Sequence, residues 1–141
     1  MQLKEHIKAS TLLLVLYPLY GNKIFISMLS SVAIDTDHIY LAIREKAYTY
    51  PKMKALAERI YKVYQADPEG AYKNIFYLFH TVEFVILLMI LSLYFPWLKF
   101  VALGFAFHII CDAIYCKIKK CPIMRWIFMT EFIRVNLKNS V

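Results

Sequence analysis

The apolar run from Tyr72 to Leu98 constrains this chain most. It is the longest in the sequence, and from Phe84 to Leu91 it carries no polar side chain. A central stretch of roughly 20 residues, at about 1.5 Å rise each, matches the roughly 30 Å hydrocarbon layer of a bilayer. A membrane span is the direct reading. Composition agrees: 60% of the 141 residues are hydrophobic and 19% are charged, against about 45 to 50% and about 25% in soluble domains. One domain over residues 1–141 is the natural count at this length. Its core cannot hide so much apolar surface, so lipid has to cover the rest. The only glycines are Gly21, Gly70 and Gly104. That excludes a glycine-rich phosphate loop and argues against the many tight turns of a β-barrel, which leaves helices as the spanning structure.

Residues 7–34 are apolar except at Tyr20, Gly21, Asn22 and Lys23, a break that predicts a turn between two short helices. Pro96, Trp97 and Lys99 end the Tyr72 to Leu98 run at an interface, and Phe100 to Cys116 returns before Lys117, Lys119 and Lys120. Pro122 opens a fifth helix, Ile123 to Val135, which is too basic for a clear span. The predicted fold class is therefore all-α: a polytopic membrane helical bundle of about four short spans, with interfacial amphipathic helices.

Residues 39–72 are the one clearly polar stretch and are expected to form a cytosolic insertion. Pro51 suits a first helical turn, and Met53, Leu56, Ala57, Ile60 and Tyr64 recur at helical spacing with cations opposite. Such a helix can lie on anionic lipid or pack on its own bundle. Counting cations puts the N-terminus, this insertion and the C-terminal tail in the cytosol, with the turns at Lys23 and Lys99 outside. The predicted location is the inner cell membrane, multi-pass, with both termini cytosolic. A single helix over residues 7–34, roughly 40 Å long, would carry Lys4 and Lys8 to the other side and break that rule. The N-terminal stretch imitates a secretory leader but lacks a small-residue cleavage site, so it is expected to be retained.

The net charge of +7 does not predict a nucleic-acid partner, because the cations fall between apolar stretches and form no continuous face. Cys111, Cys116 and Cys121 lack a C-x-x-C pairing and read as reduced structural thiols.

Three of the four histidines share a short run with a carboxylate three or four residues away: Asp35-Thr36-Asp37-His38, His80-Thr81-Val82-Glu83 and His108-Ile109-Ile110-Cys111-Asp112. The fourth, His6, follows Glu5. Helical spacings of three and four put both side chains of a pair on one face, so His80 with Glu83 and His108 with Asp112 each offer two ligands. Glu83 and Asp112 lie inside apolar spans, where an ionised acid costs roughly 2.5 to 3.5 kcal/mol at the helix centre. Protonation would remove that cost, and so would a divalent cation that also accepts imidazole nitrogen. Histidines at three separate places favour the cation. In the two-hairpin arrangement His6, Asp35, Asp37, His38, His80 and Asp112 should all approach one depth, near the cytosolic end. Singly, each has a plainer reading as a surface histidine, a helix-end residue or an interhelical polar contact. Glu131 and Arg134 read as a surface pair.

At these residues the chain resembles the YdjM-type family of LexA-regulated, inner-membrane metal-dependent hydrolases of bacteria and archaea. The likeness spans most of the chain. It consists of His6 before a short hydrophobic helix; Asp35, Asp37 and His38 ending the second; His80-Thr81 entering the third; and Gly104, His108 and Asp112 in the fourth. Proline before the first aspartate and a histidine-arginine upstream of the third-helix histidine are frequent in that family. Here Ile34 and the stretch from Lys73 to Phe76 hold those places. The missing histidine implies one metal fewer, or Glu83 in its stead. The family's distant similarity to the zinc-dependent phospholipase C and P1 nuclease superfamily implies a zinc cluster and a phosphoester substrate.

The expected function is thus a membrane-bound metal-dependent hydrolase. Two or three zinc ions would be held among His6, Asp35, Asp37, His38, His80, Glu83, His108 and Asp112. Asp35 or Asp37 would accept a proton from the attacking water. A phospholipid or lipid-linked phosphate could enter sideways from the inner leaflet, drawn by Lys117, Lys119, Lys120 and Arg125, although these cations also serve as plain topology signals. Two other readings fit the same residues: a metal or proton transporter, which needs groups spread along a path, and a non-catalytic membrane scaffold clamped by a structural metal.

Overall fold

The computed structural model describes residues 3–66 and 77–118, together with Ile133 and Leu137. All regular structure among the described residues is helical. Helix α1 (Leu3–Ser10) continues through a 3₁₀ turn (Thr11–Leu16) into the short α2 (Tyr17–Tyr20). After a 3₁₀ turn at Gly21–Lys23 come α3 (Ile24–Ala33), α4 (Thr36–Arg44) and α5 (Tyr50–Ala66). Then follow α6 (Val82–Leu91) and α7 (Leu98–Ile118).

Two helical runs are long and apolar enough to cross a membrane: Glu5–Ala33, with 29 residues, and Leu98–Ile118, with 21. The first is not straight. Ser10 and Ser31 are 21 residues apart, yet their hydroxyls meet at 2.5 Å; a straight helix would separate them by roughly 31 Å. The fold-back occurs at Gly21, whose φ of +55° is a conformation that side-chain-bearing residues rarely adopt. This is the turn expected at Tyr20 to Lys23. The descending leg slackens into 3₁₀ geometry where Ser10 Oγ donates to the His6 carbonyl and Thr11 Oγ1 to the Lys8 carbonyl, both at 2.7 Å. Such back-bonds compete with the helical ladder.

Helices α3 and α7 run parallel and make the closest packing. A Cβ on Gly104 would collide with the Ser27 carbonyl oxygen and the Ser30 side chain, so only glycine lets the two backbones approach this far. One turn further along both helices, Ser31 meets His108. Helix α6 completes the layer around a core of Ile34, Leu88, Ala102, Phe105 and Ile109, with Phe79, Phe84 and Val85 packed against it.

Helix α6 is shorter than the span expected over Tyr72 to Leu98. Thr81 adopts an extended backbone and its Oγ1 accepts from Phe84 N–H at 3.3 Å, which starts the helix only at Val82. It ends at Leu91, before Pro96. Helix α5 forms with Pro51 in its first turn, as expected; of the predicted apolar stripe Leu56 and Ile60 are half-buried, Met53 and Ala57 are exposed, and the Tyr64 side chain falls outside the described positions. Glu45 ties the helix to the end of α4 by accepting from Arg59 at 2.5 Å. Lys73, Lys119, Lys120, Cys121 and Arg125 lie outside the described residues, as does the predicted helix over Ile123 to Val135 apart from Ile133.

Candidate metal centre

Four separate segments deliver polar side chains to one end of the bundle. His6 comes from α1, Asp35 from the corner between α3 and α4, His80 from the turn before α6, and His108 and Asp112 from successive turns of α7. All three imidazoles are buried, at 1 to 3% exposure, and Asp112 at 6%. The Asp35 and Asp37 side chains are more open, at 19% and 12%, so water reaches the cluster from the α3–α4 corner.

The nitrogens and oxygens contact one another in sequence. His6 Nε2 lies 3.4 Å from Asp112 Oδ1, and Asp112 Oδ2 lies 3.3 Å from His108 Nε2. His108 Nε2 is 3.5 Å from Asp35 Oδ1, which is 3.6 Å from His80 Nε2. Ligands bound tetrahedrally at 2.0 to 2.2 Å stand about 3.3 to 3.6 Å from one another. Two sets of three, His6 with Asp35 and His108, and His80 with His108 and Asp112, bring their ligand atoms within 4.8 Å of one another and can hold a metal ion.

The orientation of His108 supports that capacity. Its Nδ1 donates to the Ser31 carbonyl at 2.5 Å, which leaves Nε2 as the bare, ligand-type nitrogen. That Nε2 is fully buried, has no hydrogen-bond partner among the described residues, and faces the oxygens of two carboxylates. Lone pairs turned toward lone pairs in a buried site call for a positive charge between them. His6 stacks on His108 at 3.9 Å with planes 5° apart, and a positive charge on each of these two rings at that separation would be repulsive. A divalent cation offsets both acids without charging either ring.

Of the residues singled out by sequence, His6, Asp35, His80, His108 and Asp112 are brought together. Asp37 adjoins them: its Oδ2 accepts from Phe79 N–H at 2.7 Å and contacts His80 Nδ1 at 3.3 Å. Glu83 is half-buried in the first turn of α6 and stands outside both ligand sets. His38 lies in α4, and its side chain falls outside the described positions. Sequence reasoning did not find the Ser31 carbonyl or the Phe79 amide, because main-chain groups leave no residue-type signal.

No family model, curated protein or solved structure matches the chain.

Proposed function

We propose that this chain is a membrane-embedded, metal-dependent hydrolase acting on a phosphoester, with a phospholipid or lipid-linked phosphate as the substrate class. One observation carries the reading: three buried imidazoles and two carboxylates converge from four segments, with the His108 Nε2 lone pair aimed at acids and not at a donor.

In this reading the chain forms two helical hairpins, with α1, α2 and α3 in one and α6 and α7 in the other. The cluster and most of the described cations, Lys8, Arg44, Lys46, Lys52, Lys54, Arg59, Lys62 and Lys117, share one end, while Lys23 and Lys99 mark the turns at the other. The positive-inside rule then places the cluster at the cytosolic face. The ten-residue legs α3 and α6, about 15 Å each by helical rise, draw the hydrocarbon layer thinner around them.

His6, Asp35, His80, His108 and Asp112 are the residues that would hold the metal. A bound divalent ion supplies Lewis acidity, lowering the pKa of a water and offsetting charge that develops on the phosphoryl oxygens. The Ser31 carbonyl keeps His108 in the ligating tautomer. Asp35, the most exposed carboxylate of the cluster, takes the proton of the attacking water. Phe105, Ile109 and Ile34 belong to the apolar core, and the more open Asp35 and Asp37 side chains mark the side from which water arrives in this reading. Gathering at one level supports hydrolysis over a transport relay, which needs groups along a path.

The test is metal analysis of the purified protein followed by turnover on a panel of phosphodiesters and phosphomonoesters in mixed micelles. Stoichiometric divalent metal, lost in His108→Ala and Asp112→Ala along with activity, is the expected result. A metal-free wild-type protein overturns the reading; bound metal without turnover on any ester leaves a structural clamp in its place.

A further inference from the structure

We infer that Asp37 is a positioning residue: it orients His80 and pins the 77–81 turn to α4, and it is neither a metal ligand nor the proton acceptor. The inference rests on the metal-centre reading above and adds a division of labour between two acids that the sequence places side by side.

Two donors converge on one oxygen. Asp37 Oδ2 accepts from Phe79 N–H at 2.7 Å and lies 3.3 Å from His80 Nδ1. The amide is a fixed donor, since a main-chain N–H has no second tautomer. With Nδ1–H directed at the same carboxylate, His80 keeps its lone pair on Nε2, and Nε2 is the atom that faces Asp35 Oδ1 at 3.6 Å. Asp35 and Asp37 thus flank opposite edges of one imidazole, and a single ion on Nε2 cannot also be reached along the Nδ1 edge. Consistently, no Asp37 oxygen belongs to either three-ligand set, although Asp35 does.

His108 follows the same design with a different anchor. Its Nδ1 is held by the Ser31 carbonyl and its Nε2 is turned to Asp35 and Asp112. Two of the buried histidines therefore enter the cluster through Nε2 with Nδ1 tied down behind. An anchored second nitrogen is the usual support of a ligating imidazole, and its loss costs 10- to 100-fold in metal affinity. Asp37 does a second job that the Ser31 carbonyl does not. By taking the Phe79 amide it fixes the turn that carries His80, 42 residues away in sequence, at the start of α4.

The experiment compares Asp37→Asn, Asp37→Ala and Asp35→Asn in the full chain, loaded with Zn²⁺ or Co²⁺. An asparagine oxygen can still accept both N–H groups. Asp37→Asn is therefore expected to keep the wild-type metal stoichiometry and the Co²⁺ visible spectrum, with affinity within about 10-fold. Asp37→Ala is expected to keep the stoichiometry but bind about 10- to 100-fold more weakly. Asp35→Asn is expected to change the spectrum or lose the ion. An Asp37→Asn protein that behaves like Asp35→Asn makes Asp37 a ligand and overturns the inference.

A second readout needs no metal. In ¹⁵N-histidine-labelled protein at alkaline pH, neutral His80 is expected to carry its proton on Nδ1 in wild type and in Asp37→Asn, and to redistribute it in Asp37→Ala. A wild-type His80 protonated on Nε2 overturns the inference. A wild-type protein that binds no metal removes the hydrolase reading, and the tautomer measurement still decides Asp37.

Discussion

Gly104 of α7 lies directly against the main chain of Ser27 in α3, at a distance that leaves no room for a Cβ. That contact sets the register of the parallel pair, and one turn on, the same register delivers the Ser31 carbonyl to His108 Nδ1. Gly104→Ala should therefore cost about 1 to 3 kcal/mol of stability through overpacking. It should also weaken metal binding without touching a ligand. Denaturation in mild detergent and metal titration of the same variant check both halves; unchanged values in both would show that the helices do not approach this closely.

Ser10 and Ser31 join the two legs of the first hairpin by their hydroxyls at 2.5 Å. Ser10→Ala or Ser31→Ala should each cost about 1 kcal/mol. Metal affinity should survive Ser31→Ala, because His108 is held by the main-chain oxygen and not by the hydroxyl. A loss of metal in Ser31→Ala would place the anchor elsewhere.

Removal of metal should destabilise the fold. A ligand that binds only the folded state contributes about 2.7 kcal/mol when its concentration is 100 times its Kd. Thermal unfolding before and after chelation, followed by re-addition of Zn²⁺, should show a reversible downward shift. His108→Ala should show no such shift.

The Arg59 guanidinium beside Glu45 holds its carboxyl below the usual carboxylate range, aided by Arg44. A pKa depressed in the folded state means that the link favours folding above the ordinary carboxylate pKa of about 4.3. It is lost as pH falls through the lowered value. The pair is exposed, so the effect is local. Protection factors over α5, which correct for the slowing of intrinsic amide exchange in acid, should fall upon acidification, and Arg59→Ala should show the lower protection already at neutral pH and no acid step.

Cysteine labelling checks the two-hairpin arrangement. In a background lacking Cys111, Cys116 and Cys121, Lys8→Cys and Lys52→Cys should react from one side of the membrane, and Lys23→Cys and Lys99→Cys from the other. Lys8→Cys reacting from the same side as Lys23→Cys would rule out a first hairpin.

Much of this was legible from local pattern. The break at Tyr20 to Lys23 marked the turn that Gly21 makes, Pro51 marked the start of α5, and the four-residue step from His108 to Asp112 put both side chains on one helical face. The same logic paired His80 with Glu83, yet His80 sits in a turn before α6, where helical spacing does not hold, and it faces Asp35 and Asp37 instead.

The sequence by itself determined the helical class, the runs apolar enough to cross a membrane and the supply of imidazoles and acids, because these follow from composition and short-range periodicity. Only the tertiary structure decided which of them meet. His6 stacks on His108, and the Ser31 carbonyl reaches a ring 77 residues away. Such contacts depend on how closely α3 and α7 approach at a glycine, and on main-chain donors and acceptors that every residue possesses and no residue type announces.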